Sequence, residues 1–245
     1  MRRSLAVVLP LALLAGACGG GETAAPTPAP SVAAPVERTP TTVPDAMPAP
    51  MPDPDASLLR AARRGDAATV TAALDAGADI ETRDRHRRTA LLLASTFDRV
   101  AVAKVLVARG ADPDALDDRH DTPWLVTGVT GSVAMLEALL PAGPDLTLRN
   151  RYGGLAPIPA SEHGHVDYVR RVVRTGVDLD HVNDLGWTAL LEAVVLGDGG
   201  RRHQQVVRIL LDAGVDRTIT DRDGVSALEH AERRGYDEIA ALLRR

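Results

Sequence analysis

The fold class the sequence predicts is an all-α solenoid of about six stacked helix-turn-helix units, preceded by a disordered Pro/Ala/Thr-rich tether. Three observations predict it. A Gly-x-Asp signal recurs at Gly77, Gly110, Gly143, Gly176 and Gly214, spaced 33, 33, 33 and 38 residues apart. A second column keeps step with it, starting at Thr89, Thr122, Leu155, Thr188 and Ser226 and followed each time by an apolar run. The apolar 45% is mostly Ala, Leu and Val, with only 2% aromatic residues, which suits closely stacked helices better than a sandwich or barrel.

The N-terminal elements come first. Arg2 and Arg3 form a positive start, Leu5 to Leu14 a short apolar stretch, and Ala15-Gly16-Ala17 a small-residue site before Cys18, the single cysteine. Residues 1–17 therefore read as a signal peptide. The stretch is shorter than the roughly 20 residues a spanning helix needs. The arrangement resembles a bacterial lipobox, which implies cleavage before Cys18, lipidation of that residue, and export to the periplasmic or cell-surface side of the envelope. One cysteine allows no intramolecular disulfide. Residues 18–54 carry ten prolines between Pro26 and Pro54. They cannot bury a core, and at about 3.1 Å per residue in extended polyproline form they predict a semi-stiff tether.

Residues 55–245 hold the repeats. In each unit, Thr or Ser before a small residue and an apolar run is an N-cap that starts a short inner helix. Gly65, Gly131, Gly164 and Gly235 sit where a left-handed residue closes that helix, and a second apolar stretch such as Val100 to Val107 predicts the outer helix. The Gly-x-Asp signal ends it. A polar link then leads to Asp84, Asp117, Asn150, Asn183 and Asp221, short acceptors suited to tight turns. Two helices cannot enclose a core alone, so units must stack. In the fourth unit, Leu155 replaces the cap and Pro157 and Pro159 enter the first turns, which predicts a late or distorted inner helix. The fifth unit is longer by five residues within Asp198 to His203, with its outer helix expected near Gln205.

The second column resembles the ankyrin Thr-Pro-Leu-His-x-Ala motif, in runs such as Thr89-Ala-Leu91-Leu-Leu-Ala94 and Thr188-Ala-Leu190-Leu-Glu192-Ala193. The resemblance covers roughly 190 residues. The Gly-Gly turn, Gly-Trp-Thr start and Asp-Gly-Gly insertion are similar to small stand-alone bacterial ankyrin proteins of the YahD type. It implies binding through a concave face made of turn tips and inner-helix ends. On the tips this places Arg85, His86, Arg88, Arg119, Arg151, Tyr152, Asp184, Trp187 and Arg222, and on the helix ends Phe97, Glu162 and His163. Tyr, Trp and Arg are the usual anchors of interfaces, which makes Tyr152 and Trp187 a candidate pair. Phe97 and Trp187 also fall where large side chains pack sideways between units, and both readings stay open. Trp124 replaces the motif leucine and reads as core.

The function this predicts is a non-enzymatic, monomeric protein-binding module on a lipid anchor, needing no cofactor. A net charge of −5 gives no basic surface for nucleic acid. The alternative is a small-ligand receptor or an enzyme around Glu162, His163, Glu192, Asp198 and His203. Glu162-His163-Gly164-His165 lacks the spacing of a helical metal site, so no metal is expected. Asp198, Gly199, Gly200 and Arg201 read either as an anion-binding turn or as a tolerated surface loop.

Overall fold

The computed structural model describes residues 53–245. The expected signal peptide, Cys18 and residues 18–52 of the expected tether lie outside the described residues. Six helix pairs follow in order. They are α1 Pro54–Arg64 with α2 Ala67–Asp75, α3 Ala90–Thr96 with α4 Val100–Ala108, and α5 Pro123–Thr130 with α6 Val133–Leu139. The second half comprises α7 Pro157–Glu162 with α8 Val166–Val172, α9 Ala189–Val195 with α10 Arg201–Asp212, and α11 Ala227–Arg234 with α12 Asp237–Leu243. No strand forms among the described residues. The odd-numbered inner helices stack in one row and the even-numbered outer helices in another, each touching its neighbour in the row.

The repeat signals have direct local causes. Thr89, Thr122, Thr188 and Ser226 each accept the N–H three residues on, capping α3, α5, α9 and α11. At the tips, one Asx side-chain oxygen accepts two N–H groups, those two and four residues on. Asn150 takes Tyr152 and Gly154 at 2.9 Å each, and Asn183 takes Leu185 and Trp187 at 3.0 Å. Asp84, Asp117 and Asp221 repeat the pattern. The same Asx N–H donates to the carbonyl four residues on, which closes a five-residue loop. The aspartate of each Gly-x-Asp signal likewise accepts the N–H two residues on. Its own N–H reaches the preceding unit in three cases, as in Asp145 to Asp114 at 2.9 Å and Asp216 to Asp180 at 2.8 Å, and in the first unit it reaches back to Asp55 on α1. These bonds fix the register between units.

The fourth residue of every tip loop is left-handed. Gly153, Gly186 and Gly224 fill it in three units, whereas Arg87 (φ 60°) and His120 (φ 61°) fill it in the others. An L side chain pays about 1–2 kcal/mol there. His120→Gly is therefore expected to raise stability by about 0.5 kcal/mol, after the extra backbone entropy of glycine is subtracted. Urea unfolding measures it, and a lower midpoint would contradict it.

The core is filled by Ala, Leu and Val from both rows, with Trp124 and Tyr168 as its largest fully buried side chains. An aromatic of that size removes about 200 Å² from water, a gain of roughly 5 kcal/mol. For Trp124 part of that is lost, because its buried indole N–H has no acceptor. The Tyr168 hydroxyl is satisfied by Thr127 at 2.7 Å, which ties α8 to α5.

One element differs from expectation and another meets it. The fifth outer helix begins at Arg201, not near Gln205, so the inserted residues lengthen α10. Gly200 caps it in an extended conformation, and the Gln204 side chain folds back onto the Gly199 carbonyl at 2.9 Å. The fourth inner helix α7 starts one position later in the repeat than its counterparts and lacks a side-chain cap, as the two prolines and Leu155 predict.

Candidate functional site

The tip loops and the inner helices α3, α5, α7 and α9 border a groove with two adjoining sections. The first, about 450 Å³, is lined by His86, Arg88, Arg119, Asp121, Val129, Arg151 and His163 among others. The second, about 350 Å³, is lined by Ile158, Asn183, Leu185, Glu192 and Leu196 among others. Both include Asn150, Tyr152, Pro159 and Glu162. Tyr152 is 50% exposed, and Leu185, Leu196 and Val129 are 47–48% exposed.

Charge is distributed unevenly along it. In the first section, acids and bases on neighbouring tips pair, His86 with Asp118 at 3.3 Å and Arg151 with Asp121 at 3.6 Å. The Arg151 guanidinium also lies 4.5 Å from the Tyr152 ring centre. Such exposed pairs add little stability but hold the tips in place. The second section holds carboxylates without a base on its wall. Glu192 is buried on α9 and accepts a hydrogen bond from the Asn183 side chain at 2.9 Å. Burial, reinforced by Glu162, pushes its carboxyl up to about 7.

That shift has a consequence for stability. Between the ordinary carboxylate range and about pH 7, the folded chain keeps a proton on Glu192 that the unfolded chain has released. Glu192 thus favours folding in acid and loses that contribution as pH rises, by up to about 3 kcal/mol. Relative to Glu192→Gln, the wild type should become less stable between pH 5 and 7.5 in urea titrations. A constant difference across that range would exclude the shift.

Several residues expected on the binding face do not line this groove. Trp187 is half-buried against the C-terminal core, the sideways packing open to it from the sequence, and lines neither section, whereas Leu185 lies beside Tyr152 in the second. Phe97 packs on the N-terminal core under the Arg63 guanidinium, 5.0 Å from its ring centre. Arg222 bonds the Asp184 carbonyl, an arrangement that braces two tips, and Arg85 bonds His86 at 3.0 Å. None of Arg85, Phe97, Asp184, Trp187 and Arg222 lines the groove. His86, Arg88, Arg119, Arg151, Tyr152, Glu162 and His163 do. The Asn183–Glu192 pair was not anticipated as a unit. Its signal was one glutamate within the apolar run Ala189–Val195, on the helix that follows an Asx column residue.

The residues of the rival site come together, but as a brace. Among its contacts, the His203 ring donates from Nε2 to the Glu162 carbonyl at 2.9 Å and places Nδ1 2.8 Å from Asp198. Both nitrogens are engaged, which leaves none for proton transfer. The His163 ring donates to the Pro159 carbonyl at 2.8 Å and stacks on His165. His165 bonds the Val129 carbonyl of the preceding unit, and His181 bonds the Gly153 carbonyl in the tip of its own unit. In the Asp198 turn, the Gly200 N–H is taken by the Asp198 carboxylate and the Asp198 N–H points to His203, so two of the donors an anion-binding turn would use are engaged within the chain. Tyr236 packs on Gly199 and donates to the Gly197 carbonyl at 3.1 Å.

Comparison with known proteins identifies one repeat family. A family model for three copies of ankyrin repeats matches residues 126–221 and 160–245, and a single ankyrin-repeat model matches 86–118. The chain is 40% identical to the putative ankyrin repeat protein YahD of Escherichia coli K12, over 77% of this chain and 94% of that one. Among solved structures, an ankyrin repeat domain from Acinetobacter baumannii AYE is 43% identical with a TM-score of 0.73, covering 76% of this chain and 95% of that one. The ankyrin repeat domain of Bcl-3, a member of the IkappaB protein family, is 27% identical with a TM-score of 0.68, covering 77% and 85%.

Proposed function

Because this chain belongs to the ankyrin-repeat family, whose fold generally serves protein interaction rather than catalysis, we propose that it binds a protein partner through the tip-and-inner-helix groove. It does so outside the cytoplasm, as a single chain held to the bacterial envelope by lipid on Cys18. One observation carries the binding reading. Six large hydrophobics are exposed among the described residues, and four of them, Val129, Tyr152, Leu185 and Leu196, line this groove. Exposed apolar side chains gathered on one face mark an interaction surface. A cavity of about 490 Å³ on the outer row, between Arg208, Leu242 and Arg245, gathers none of the six.

The anchor is supported by the sequence before Cys18. Cys18→Ser is expected to abolish incorporation of radiolabelled fatty acid and to release the protein from membrane pellets. Unchanged pelleting would contradict the anchor. The binding face is tested by a photo-crosslinking amino acid at Tyr152 or at Arg170, followed by irradiation in cells that make the protein. Adducts from position 152 and none from position 170 are expected. The reverse pattern would place binding on the outer row.

A further inference from the structure

Resting on the groove reading above, we propose that its second section is a pocket for one lysine or arginine side chain of the bound protein. The cationic head sits against Glu192 and Glu162, and the stem lies along Tyr152, Leu185 and Leu196.

The argument begins with what the pocket lacks. Its walls are apolar apart from Asn150, Asn183 and two carboxylates, and no Arg, Lys or His lines it. Glu192 is only 4% exposed, yet one of its oxygens alone is bonded, to Asn183. The other has no hydrogen-bond partner among the described residues and is not sealed from the pocket. A carboxylate taken out of water this far is paired when charged, and the bonds it lacks here are ones that an N–H donor must supply. Glu162, whose carboxylate lies 3.8 Å from His163 Nδ1, is near enough to repel it, so a cation placed here is drawn by both carboxylates.

Shape narrows the occupant. A metal ion needs more ligands than these, and no group of three or more candidate ligands converges among the described residues. An anion is repelled, and a purely apolar side chain would seal Glu192 with its bond unmade. A long aliphatic stem ending in a cation satisfies both halves of the pocket, because Lys and Arg bury their methylenes on apolar surface while the head finds charge. The first section offers no equivalent, since Asp118 faces His86, Asp121 faces Arg151, and Asp117 is taken up by the N–H groups of its own loop. The partner segment that fills the groove thus carries a basic residue next to the apolar group that covers Tyr152.

The test uses the full chain and immobilised pools of short peptides, with Ala, Leu, Ser and Tyr mixed at the flanks and a fixed central residue. The centre is arginine, lysine, norleucine or glutamate. The arginine or lysine pool should be retained about 10-fold more strongly than the norleucine pool, and the glutamate pool least. Glu192→Gln, which keeps the acceptor for Asn183, should remove that selectivity. Leu196→Arg places a cation on the rim and should weaken retention of the basic pools without lowering the unfolding temperature. Equal retention of the norleucine and basic pools, lost in Tyr152→Ala, would overturn the cation pocket and leave the groove reading standing. Retention of no pool, or selectivity that survives both variants, would also overturn the pocket, while the groove reading is judged by its crosslinks.

Discussion

Gly128→Ala is expected to destabilise the protein by about 2–3 kcal/mol, although helix propensity alone would make it stabilising by about 1. Gly128 lies inside α5 with ordinary helical backbone, so no turn demands a glycine there. The demand comes from the next unit. A Cβ at this position would stand 2.1 Å from the Ala156 carbonyl oxygen and 2.9 Å from its carbon, both backbone atoms that cannot swing aside. Ala156 is the uncapped start of α7, and α5 and α7 are neighbours in the inner row. Separating them strains the Thr127–Tyr168 bond and loosens Trp124. The position lies where the N-terminal and C-terminal hydrophobic clusters meet. In a solenoid whose units are held by their neighbours, a fault there should also split unfolding into two steps. Urea unfolding followed by circular dichroism measures both effects. A single transition at or above the wild-type midpoint would show that the rows can part freely.

This glycine shows what a one-dimensional pattern carries. The period, the caps and the Asx column were legible because each is set by bonds within a few residues, such as Thr188 to Leu191 or Asn183 to Leu185. The fold followed from them. Features set by the neighbouring unit were harder to read. Trp187 occupies a tip position, yet the facing core takes its ring, and Phe97 is covered by Arg63 from the unit before. The early start of α10 depends on Gln204 and His203 folding back on the inserted residues, a rearrangement that counting extra residues does not reveal. Glu192 could be grouped with Glu162 from the sequence, but its partner Asn183, nine residues earlier in the tip loop, could not.

The second large effect concerns binding. Tyr152 and Leu185 project from adjacent tips that are joined by the hydrogen bond from the Asp184 N–H to the Tyr152 carbonyl at 2.9 Å. They are half-exposed, so truncating them removes little core, and the Asx bonds that shape their loops come from the backbone. Folding should therefore survive the double change. Interface anchors of this kind commonly cost 2 kcal/mol or more each on truncation, so the Tyr152→Ala/Leu185→Ala pair should weaken partner binding by about 4 kcal/mol, roughly 1,000-fold. Arg170 and Arg208 are exposed on the outer helices α8 and α10, where truncation should change affinity less than about 3-fold.

The most direct measurement is the affinity of the partner captured from envelope extract for these two double variants, alongside their unfolding midpoints. A loss of about 1,000-fold for Tyr152→Ala/Leu185→Ala, with little change for Arg170→Ala/Arg208→Ala and wild-type midpoints in both, is the predicted result. Full affinity in the first variant together with loss in the second would contradict binding through the groove.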